Sequence, residues 1–255
     1  MLKKPAETML GIDIGGSNLK GAVVDMHTGK FVTERYKIRT PDPASTKSVA
    51  EAVQQIVQHF NWTGPFGCGV PAIVRKGVTL SAANIDESFI DADVRSLFTK
   101  TCGIQAEVLN DADAAGMAEF HFGDAHHPNG TVIMLTLGTG IGSAIFSDGH
   151  LIQNTELGHL KFGDSIAEKY CSDGTRKKLG LDWPEYGQRL NEYLLHLELL
   201  FSPDLILLGG GGSKHFDKYA DFIKLKFAEV RPAKLLNEAG IIGAAYYAYE
   251  KHVSH

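Results

Sequence analysis

Two glycine-rich turns between apolar stretches constrain this chain most, and they lie about half a chain apart. The first is Asp13-Ile14-Gly15-Gly16-Ser17-Asn18 and the second Gly138-Thr139-Gly140-Ile141-Gly142-Ser143. Glycine tolerates positive φ and lets backbone N–H groups approach an anion closely, while Ser17, Asn18 and Thr139 add side-chain donors. Taken singly, each turn is explained by a plain hairpin. Together, with matching polar insertions, they point to a phosphate chain held from two sides. Neither is a Walker loop, because no Lys-Ser or Lys-Thr pair follows, and neither opens a helix as a dinucleotide fingerprint does. Each is expected to lead back into another strand.

Apolar residues make up 44% of the 255 residues, enough for one large or two modest cores. Cys68, Cys102 and Cys171 are too few and too scattered for a disulfide framework or a four-ligand zinc site, so they read as structural thiols of a reducing compartment. No signal peptide or membrane-length apolar run is evident, and the expected location is the cytoplasm, with no membrane partner. A net charge of −5 argues against nucleic acid as a partner. Local basic patches remain at Lys161, at Arg176-Lys177-Lys178, and across Lys214, Lys224, Lys226, Arg231 and Lys234. Such a charge run is more often a solvated face than a site.

The pattern of apolar residues predicts strands before and after the first turn (the second at 20–25), a hairpin at 27–30 and a third strand near 31–38. After Pro41 and Pro43, helical spacing of Val49, Val53, Ile56, Val57 and Phe60 predicts a helix over 46–60. A buried strand at 66–70, a helix ending at 97–102 and a strand at 106–109 follow. The last delivers Asn110-Asp111-Ala112-Asp113 at its carboxyl end, where ligands collect in α/β sheets. The second half begins in the same way: strands at 131–137, 142–146 and 150–152. Then come a long helix at 183–201, a strand at 205–208, the glycine run at 209–212, a helix from about 214 into the 224 region, and a helix over 239–250. The two-domain reading rests on this internal repeat.

With these residues in view, the chain resembles the ROK family of sugar kinases over nearly its whole length. The resemblance is carried by Asp13-Ile14-Gly15-Gly16, Gly69-Val70-Pro71, Asn84, Asn110 to Asp113, Gly138-Thr139-Gly140, Glu156-Leu157-Gly158-His159 and Gly209-Gly210-Gly211. Asn154 to Leu160, Ser202 to Gly211 and Ala239 to Ala245 look most like the polyphosphate glucokinase branch. The resemblance implies an α/β fold of the actin-like, ribonuclease-H-like kind, duplicated into two domains with a cleft between them. A small domain of residues 1–109 plus a C-terminal helix of about 240–255 is expected beside a large domain of 110–239. The implied reaction moves a phosphoryl group from polyphosphate, and perhaps ATP, to the 6-hydroxyl of glucose, with a homodimer as the expected assembly.

The resemblance makes Asp111 the base that accepts the hydroxyl proton. The sequence by itself leaves an alternative, since Asp111 or Asp113 equally suits a helix N-cap. Asn84, Asn110, Asp111, Glu156, His159 and Glu168 are the implied sugar-binding set. Asp13, Gly15, Gly16, Ser17, Asn18, Lys20, Gly138, Thr139 and Gly140 are the implied phosphate cradle, with Mg²⁺ carried by the donor phosphates. Gly209, Gly210 and Gly211 would face an adenosine, or else mark a close helix–strand contact. Glu156 and His159 have metal-ligand spacing, but Gly158 between them and Gly163 after them argue against a helix. The three-cysteine cluster that completes a structural zinc site in many ROK members is missing, as in the polyphosphate branch. Two departures stand out: Lys161-Phe162-Gly163-Asp164 replaces an acidic residue and a Gly-Gly pair, and Ala72 replaces a glycine. The rival readings are a ROK kinase for fructose, mannose or an N-acetylated sugar, a ROK regulator, and a nicotinamide dehydrogenase. The regulator is disfavoured because the stretch before Asp13 is too short for a helix-turn-helix, and the dehydrogenase because the fingerprint spacing is wrong. The Tyr246, Tyr247 and Tyr249 face suits a dimer interface or a core equally.

Overall fold

The structure, a computed structural model, describes residues 8–82, 85–123 and 129–252. The chain forms two compact units, residues 1–122 with 238–255, and residues 123–237.

In the first unit the glycine turn joins β1 (Thr8–Ile14) to β2 (Asn18–Asp25) as an antiparallel hairpin, with Ile14 opposite Leu19. β3 (Tyr36–Arg39) adds to β2, and on the other side β4 (Phe66–Val70) and β5 (Ala106–Asn110) run parallel to β1. The order is β3-β2-β1-β4-β5, and α2 (Val94–Cys102) precedes β5 in the chain. Every residue of β4 and β5 is buried, as expected of parallel strands covered on both faces. Alternation in β1 sends Leu10, Ile12 and Ile14 to the side of α1 (Thr46–His59), where they pack with Val49, Val53 and Ile56. Each such side chain contributes about 1.5–3 kcal/mol by leaving water. Ser45 caps α1 by accepting from the Ser48 N–H at 3.2 Å.

The other face of that sheet meets the C-terminal helix, Ala239–His252, almost backbone to backbone. A Cβ on Gly11 would lie 2.0 Å from the Ile241 carbonyl oxygen, and one on Gly67 would lie 1.8 Å from that of Ala244. On the helix itself, a Cβ on Gly243 would lie 1.6 Å from the carbonyl oxygen of Ala114 in α3 (Asp111–Phe122). Glycine and alanine therefore set how near these elements stand. That packing draws α3 into the first unit, so the units part at 122/123, one helix later than the expected 109/110. Tyr246 stacks on His121 of α3 with ring centroids 3.9 Å apart, which places this tyrosine in internal packing.

The second unit repeats the plan. β6 (Thr131–Leu137) and β7 (Ile141–Ser147) form the hairpin around the second glycine turn, and β8 (His150–Ile152) extends it through a turn with positive φ at Asp148 and Gly149. β9 (Leu205–Gly209) runs parallel to β6, and β10 (Glu229–Pro232) parallel to β9. The order is β8-β7-β6-β9-β10, the same as in the first unit. This is the duplicated ribonuclease-H-like plan. α6 (Trp183–Phe201) covers the sheet with Tyr186, Leu190, Tyr193, Leu194 and Leu197.

Two expectations are corrected, and one strand is added. The third strand is Tyr36–Arg39, and Phe31 makes only an isolated bridge to Val24, because Asp25 ties the intervening turn to the amides of His27 and Thr28. No long helix runs from 214 to 224. One helical turn, Gly210–Ser213, is followed by 3₁₀ turns at Phe216–Lys218 and Ala220–Phe222. Tyr219 is fully buried between them, and this inward anchor breaks the helical run. Strand β10 has no counterpart among the predicted elements, because its charged residues and Pro232 suit only the edge of a sheet.

Glu198 near the end of α6 is almost fully buried and accepts from the backbone N–H groups of Lys226, Phe227 and Ala228 at 2.9–3.0 Å. Burial pushes its carboxyl up, but these three donors and Lys226 more than offset it, leaving the pKa below the ordinary value. A depressed pKa contributes stability that is present above the unfolded value and lost as pH falls through the folded one. Glu198→Gln is therefore expected to cost about 2 kcal/mol at pH 7 and to flatten the loss of stability below about pH 4.5. Urea melts of both proteins between pH 3 and pH 7 measure this.

Candidate active site

β5 passes into α3 with no intervening loop, and this junction fixes the orientation of Asn110 and Asp111. Asn110 Oδ1 accepts from the N–H groups of Ala112 at 2.8 Å and Asp113 at 3.1 Å, while its Nδ2 donates to the Ala72 carbonyl at 3.1 Å. The capping role left open for Asp111 or Asp113 thus falls to Asn110. Asp111 is half-buried in the first turn of α3 and accepts from the Ala112 N–H at 2.8 Å. Unpaired N–H groups at a helix N-terminus favour negative charge there. Asn84 lies outside the described residues.

The first glycine turn is closed by the Gly15 N–H bonding to the Asn18 carbonyl at 3.1 Å. Thr40, which sequence reading missed, braces it: the Thr40 N–H donates to the Ser17 carbonyl at 3.1 Å and Oγ1 to the Gly15 carbonyl at 2.6 Å. Its only sequence signal is a position just past the end of β3. Gly16 and Ser17 form an exposed tip. At the base, Lys20 Nζ stands 3.4 Å from Asp13 Oδ2. Burial raises the Asp13 pKa, and the charge and hydrogen bond of Lys20 only partly counter this. Gly240 of the C-terminal helix leaves room here, since a Cβ on it would sit 3.2 Å from the Asp13 carboxyl.

The second turn is built into a different set of neighbours. The Gly138 N–H bonds to the Gly140 carbonyl at 3.0 Å. Two short helices, α4 (Ala167–Cys171) and α5 (Asp173–Leu179), hold the turn from outside. Gly174 N–H donates to the Gly138 carbonyl at 2.8 Å, and Ser172 Oγ to the Thr139 carbonyl at 3.1 Å. A Cβ on Gly140 would meet Glu168 Oε2 at 2.3 Å, whereas one on Gly138 would meet nothing within 4 Å. A methyl group at Gly140 would displace the end of the Glu168 side chain, whereas the space beside Gly138 is open.

Glu156 precedes and His159 ends a 3₁₀ turn, Leu157–His159, rather than an α-helix. Ser143 of β7 anchors it through the Leu157 N–H at 3.0 Å, and a Cβ on Gly158 would strike the Ile141 carbonyl at 2.2 Å. The turn brings His159 Nδ1 within 3.2 Å of Glu156 Oε2. Burial raises the Glu156 pKa; His159 lowers it and the neighbouring Glu168 raises it further. Glu156, His159 and Glu168 thus share one region of the second unit, and Glu168 also touches the end of the second glycine turn through the Ile141 N–H at 3.4 Å. Gly209 to Gly212 satisfy the close-contact reading: Gly210 has φ +76°, and a Cβ on it would lie 2.7 Å from the Leu137 carbonyl. Gly211 is exposed.

Cys171 is buried, donates to the Ala167 carbonyl at 3.4 Å, and has its pKa pushed up by burial. Cys68 is likewise buried and raised. Among the described residues, no three of His, Cys, Asp and Glu gather as a metal site. The half-buried Asp13 beside an exposed glycine turn fits a Mg²⁺ carried mainly by donor phosphates and water, which asks for only one or two protein carboxylates. Among the described residues, no helix is long and apolar enough to cross a membrane.

The family model described as the ROK family matches residues 9–178, two thirds of the chain. The chain belongs to the ROK family. Among ROK relatives, the polyphosphate glucokinase of Mycobacterium tuberculosis is 41% identical over 236 residues, covering 92% of this chain and 89% of the relative. The Mycobacterium leprae polyphosphate glucokinase is 39% identical over 236 residues, 92% of this chain and 72% of its own. In structure, the inorganic polyphosphate/ATP-glucomannokinase of Arthrobacter sp. strain KM superposes with a TM-score of 0.90 at 44% identity, covering 96% of this chain and 99% of the other. A ROK glucokinase from Streptomyces griseus, in complex with glucose and AMPPNP, superposes at 0.80 with 24% identity over 96% and 100%, which establishes the shared fold.

Proposed function

We propose that this protein is a glucokinase that transfers the terminal phosphoryl group of inorganic polyphosphate, and also of ATP, to the 6-hydroxyl of glucose. The observation that carries the reading is the likeness to polyphosphate glucokinases and to the polyphosphate/ATP-glucomannokinase along almost the entire length of all three chains. Two features of the structure are compatible with it: a half-buried carboxylate in the helical turn that directly follows a strand, and two glycine turns joining antiparallel strands.

In this reading Asp111 accepts the hydroxyl proton as the oxygen attacks phosphorus, and Asn110, held from both sides, keeps the start of α3 in place. Glu156, His159, Glu168 and Asn84 bind the sugar hydroxyls, for which acceptors and donors at fixed angles are suited. Gly15, Gly16, Ser17, Asn18, Gly138, Thr139 and Gly140 hold the donor phosphates; Asp13 and Lys20 supply a carboxylate and a cation at the turn's base. Mg²⁺, when bound, neutralises phosphate charge. Gly209, Gly210 and Gly211 border the adenosine when ATP is the donor. A cytoplasmic homodimer completes the reading. Mannose is the second acceptor to examine, because the Arthrobacter relative is a glucomannokinase.

His159→Ala removes the imidazole that pairs with Glu156 at half-exposed depth. It is expected to raise the KM for glucose about tenfold or more, with a smaller change in kcat, since a ground-state contact is lost. An unchanged KM would remove His159 from the sugar set. Initial rates across a panel of glucose, mannose, fructose and N-acetylglucosamine test the substrate assignment, and preference for an N-acetylated sugar would contradict it.

A further inference from the structure

The run Arg176-Lys177-Lys178 reads as a solvated face in the sequence, but the structure sets it against the donor side of the second unit. α5, which carries all three cations, is the helix whose Gly174 and preceding Ser172 bond the carbonyls of Gly138 and Thr139. Its other flank meets the glycine run: a Cβ on Gly212 would lie 3.2 Å from Asp173 Cβ. The cations therefore begin one helical turn from both glycine features. Asp173, nearly fully buried, fixes two of them, with Arg176 Nε at 3.0 Å and Lys177 Nζ at 2.6 Å.

A second strip of cations converges on the same place. Trp183 at the start of α6 has the Arg176 guanidinium 4.1 Å from its ring centroid and Lys218 Nζ at 5.5 Å, with the His215 ring 5.0 Å away. Lys177, Lys178, Lys214 and Lys218 are all exposed. Carboxylates nearby in sequence are Asp173, held by Arg176 and Lys177, Asp182, turned to the Glu185 N–H as the α6 cap, Glu185, paired with Arg189 at 2.9 Å, and the exposed Asp217 and Asp221. The patch is thus a cationic strip on a chain whose net charge is −5, and it starts at the turn proposed to hold the donor.

We infer that Lys177, Lys178, Lys214 and Lys218, set around Arg176 and Trp183, form a track for the distal phosphates of a polyphosphate donor. This rests on the proposed use of polyphosphate. Flexible lysines act as point charges toward phosphate and suit a chain without fixed geometry. A linear polyanion that lies along several cations releases its counterions, so its affinity grows with chain length and falls steeply with salt. ATP ends in a nucleoside after three phosphates and gains less from such a strip.

The test is Lys177→Gln/Lys178→Gln and, separately, Lys218→Gln, leaving Arg176 in its buried pairing. Initial rates are measured with long-chain polyphosphate, tetrapolyphosphate and ATP, and binding of long-chain polyphosphate is measured directly by calorimetry at several salt concentrations. The expected result is a KM ratio of long-chain polyphosphate to ATP at least tenfold above wild type, a reduced advantage of long chains over tetrapolyphosphate, and a shallower salt dependence of binding. Ratios and binding within twofold of wild type, in a wild-type enzyme that does use polyphosphate, would overturn the track alone. A wild-type enzyme that uses ATP and neither uses nor binds polyphosphate would overturn both the track and the donor assignment.

Discussion

Asp111→Asn is expected to lower kcat by about 10²- to 10⁴-fold with glucose, the range that a positioned general base supplies. The substitution keeps the size and the acceptor oxygen that receives the Ala112 N–H at 2.8 Å, so α3 should start where it does now. What is lost is the ability to take a proton. Asn110 retains both capping bonds and its link to Ala72, which separates this variant from a folding defect. Calorimetric titration with glucose is expected to give an affinity close to that of the unaltered protein, because ground-state contacts survive. Activity within about tenfold of the original would remove Asp111 as the base and return it to a structural role in the first turn of α3.

Gly243→Ala is expected to have the largest effect on folding. Its Cβ would stand 1.6 Å from the Ala114 carbonyl oxygen, a backbone atom of a helix that has no side chain to swing away. The C-terminal helix is pinned on its other side, where Ile241 and Ala244 present carbonyls to Gly11 and Gly67. Relief therefore requires the helix to lift from the sheet or from α3, breaking the packing that unites the two ends of the first unit. A cost of at least about 3 kcal/mol follows, near the upper end of overpacking effects, and aggregation on expression is the extreme form. Gly138→Ala is the control, with open space around the added methyl group and an expected change in melting temperature of less than about 2 °C. Equal losses at the two positions would show that steric closeness is not what these glycines provide.

Much of this was legible in the sequence because it depends on local signals. The two hairpins announced themselves through glycine between apolar runs, and α1 and α6 through their amphipathic patterns. The glutamate–histidine pair was separated correctly from an α-helix on account of Gly158, whose need arises from the Ile141 carbonyl. What the sequence hid depends on distant partners. Asp25 shortened the third strand by capping a turn, Tyr219 broke a lysine-rich helix by turning inward, and β10 exists because β9 offers an edge. The choice of Asn110 over Asp111 as the cap rests on the Ala72 carbonyl, 38 residues away. The brace that Thr40 places on the first turn, 25 residues away, is hidden for the same reason.

The central claim, a glucokinase served by polyphosphate, is tested most directly by glucose 6-phosphate formation. Purified protein is given Mg²⁺ and glucose, with long-chain polyphosphate in one series and ATP in the other. The account predicts product in both series and faster turnover with polyphosphate. Product with ATP alone would contradict the donor assignment, and product with neither would contradict glucose as the acceptor.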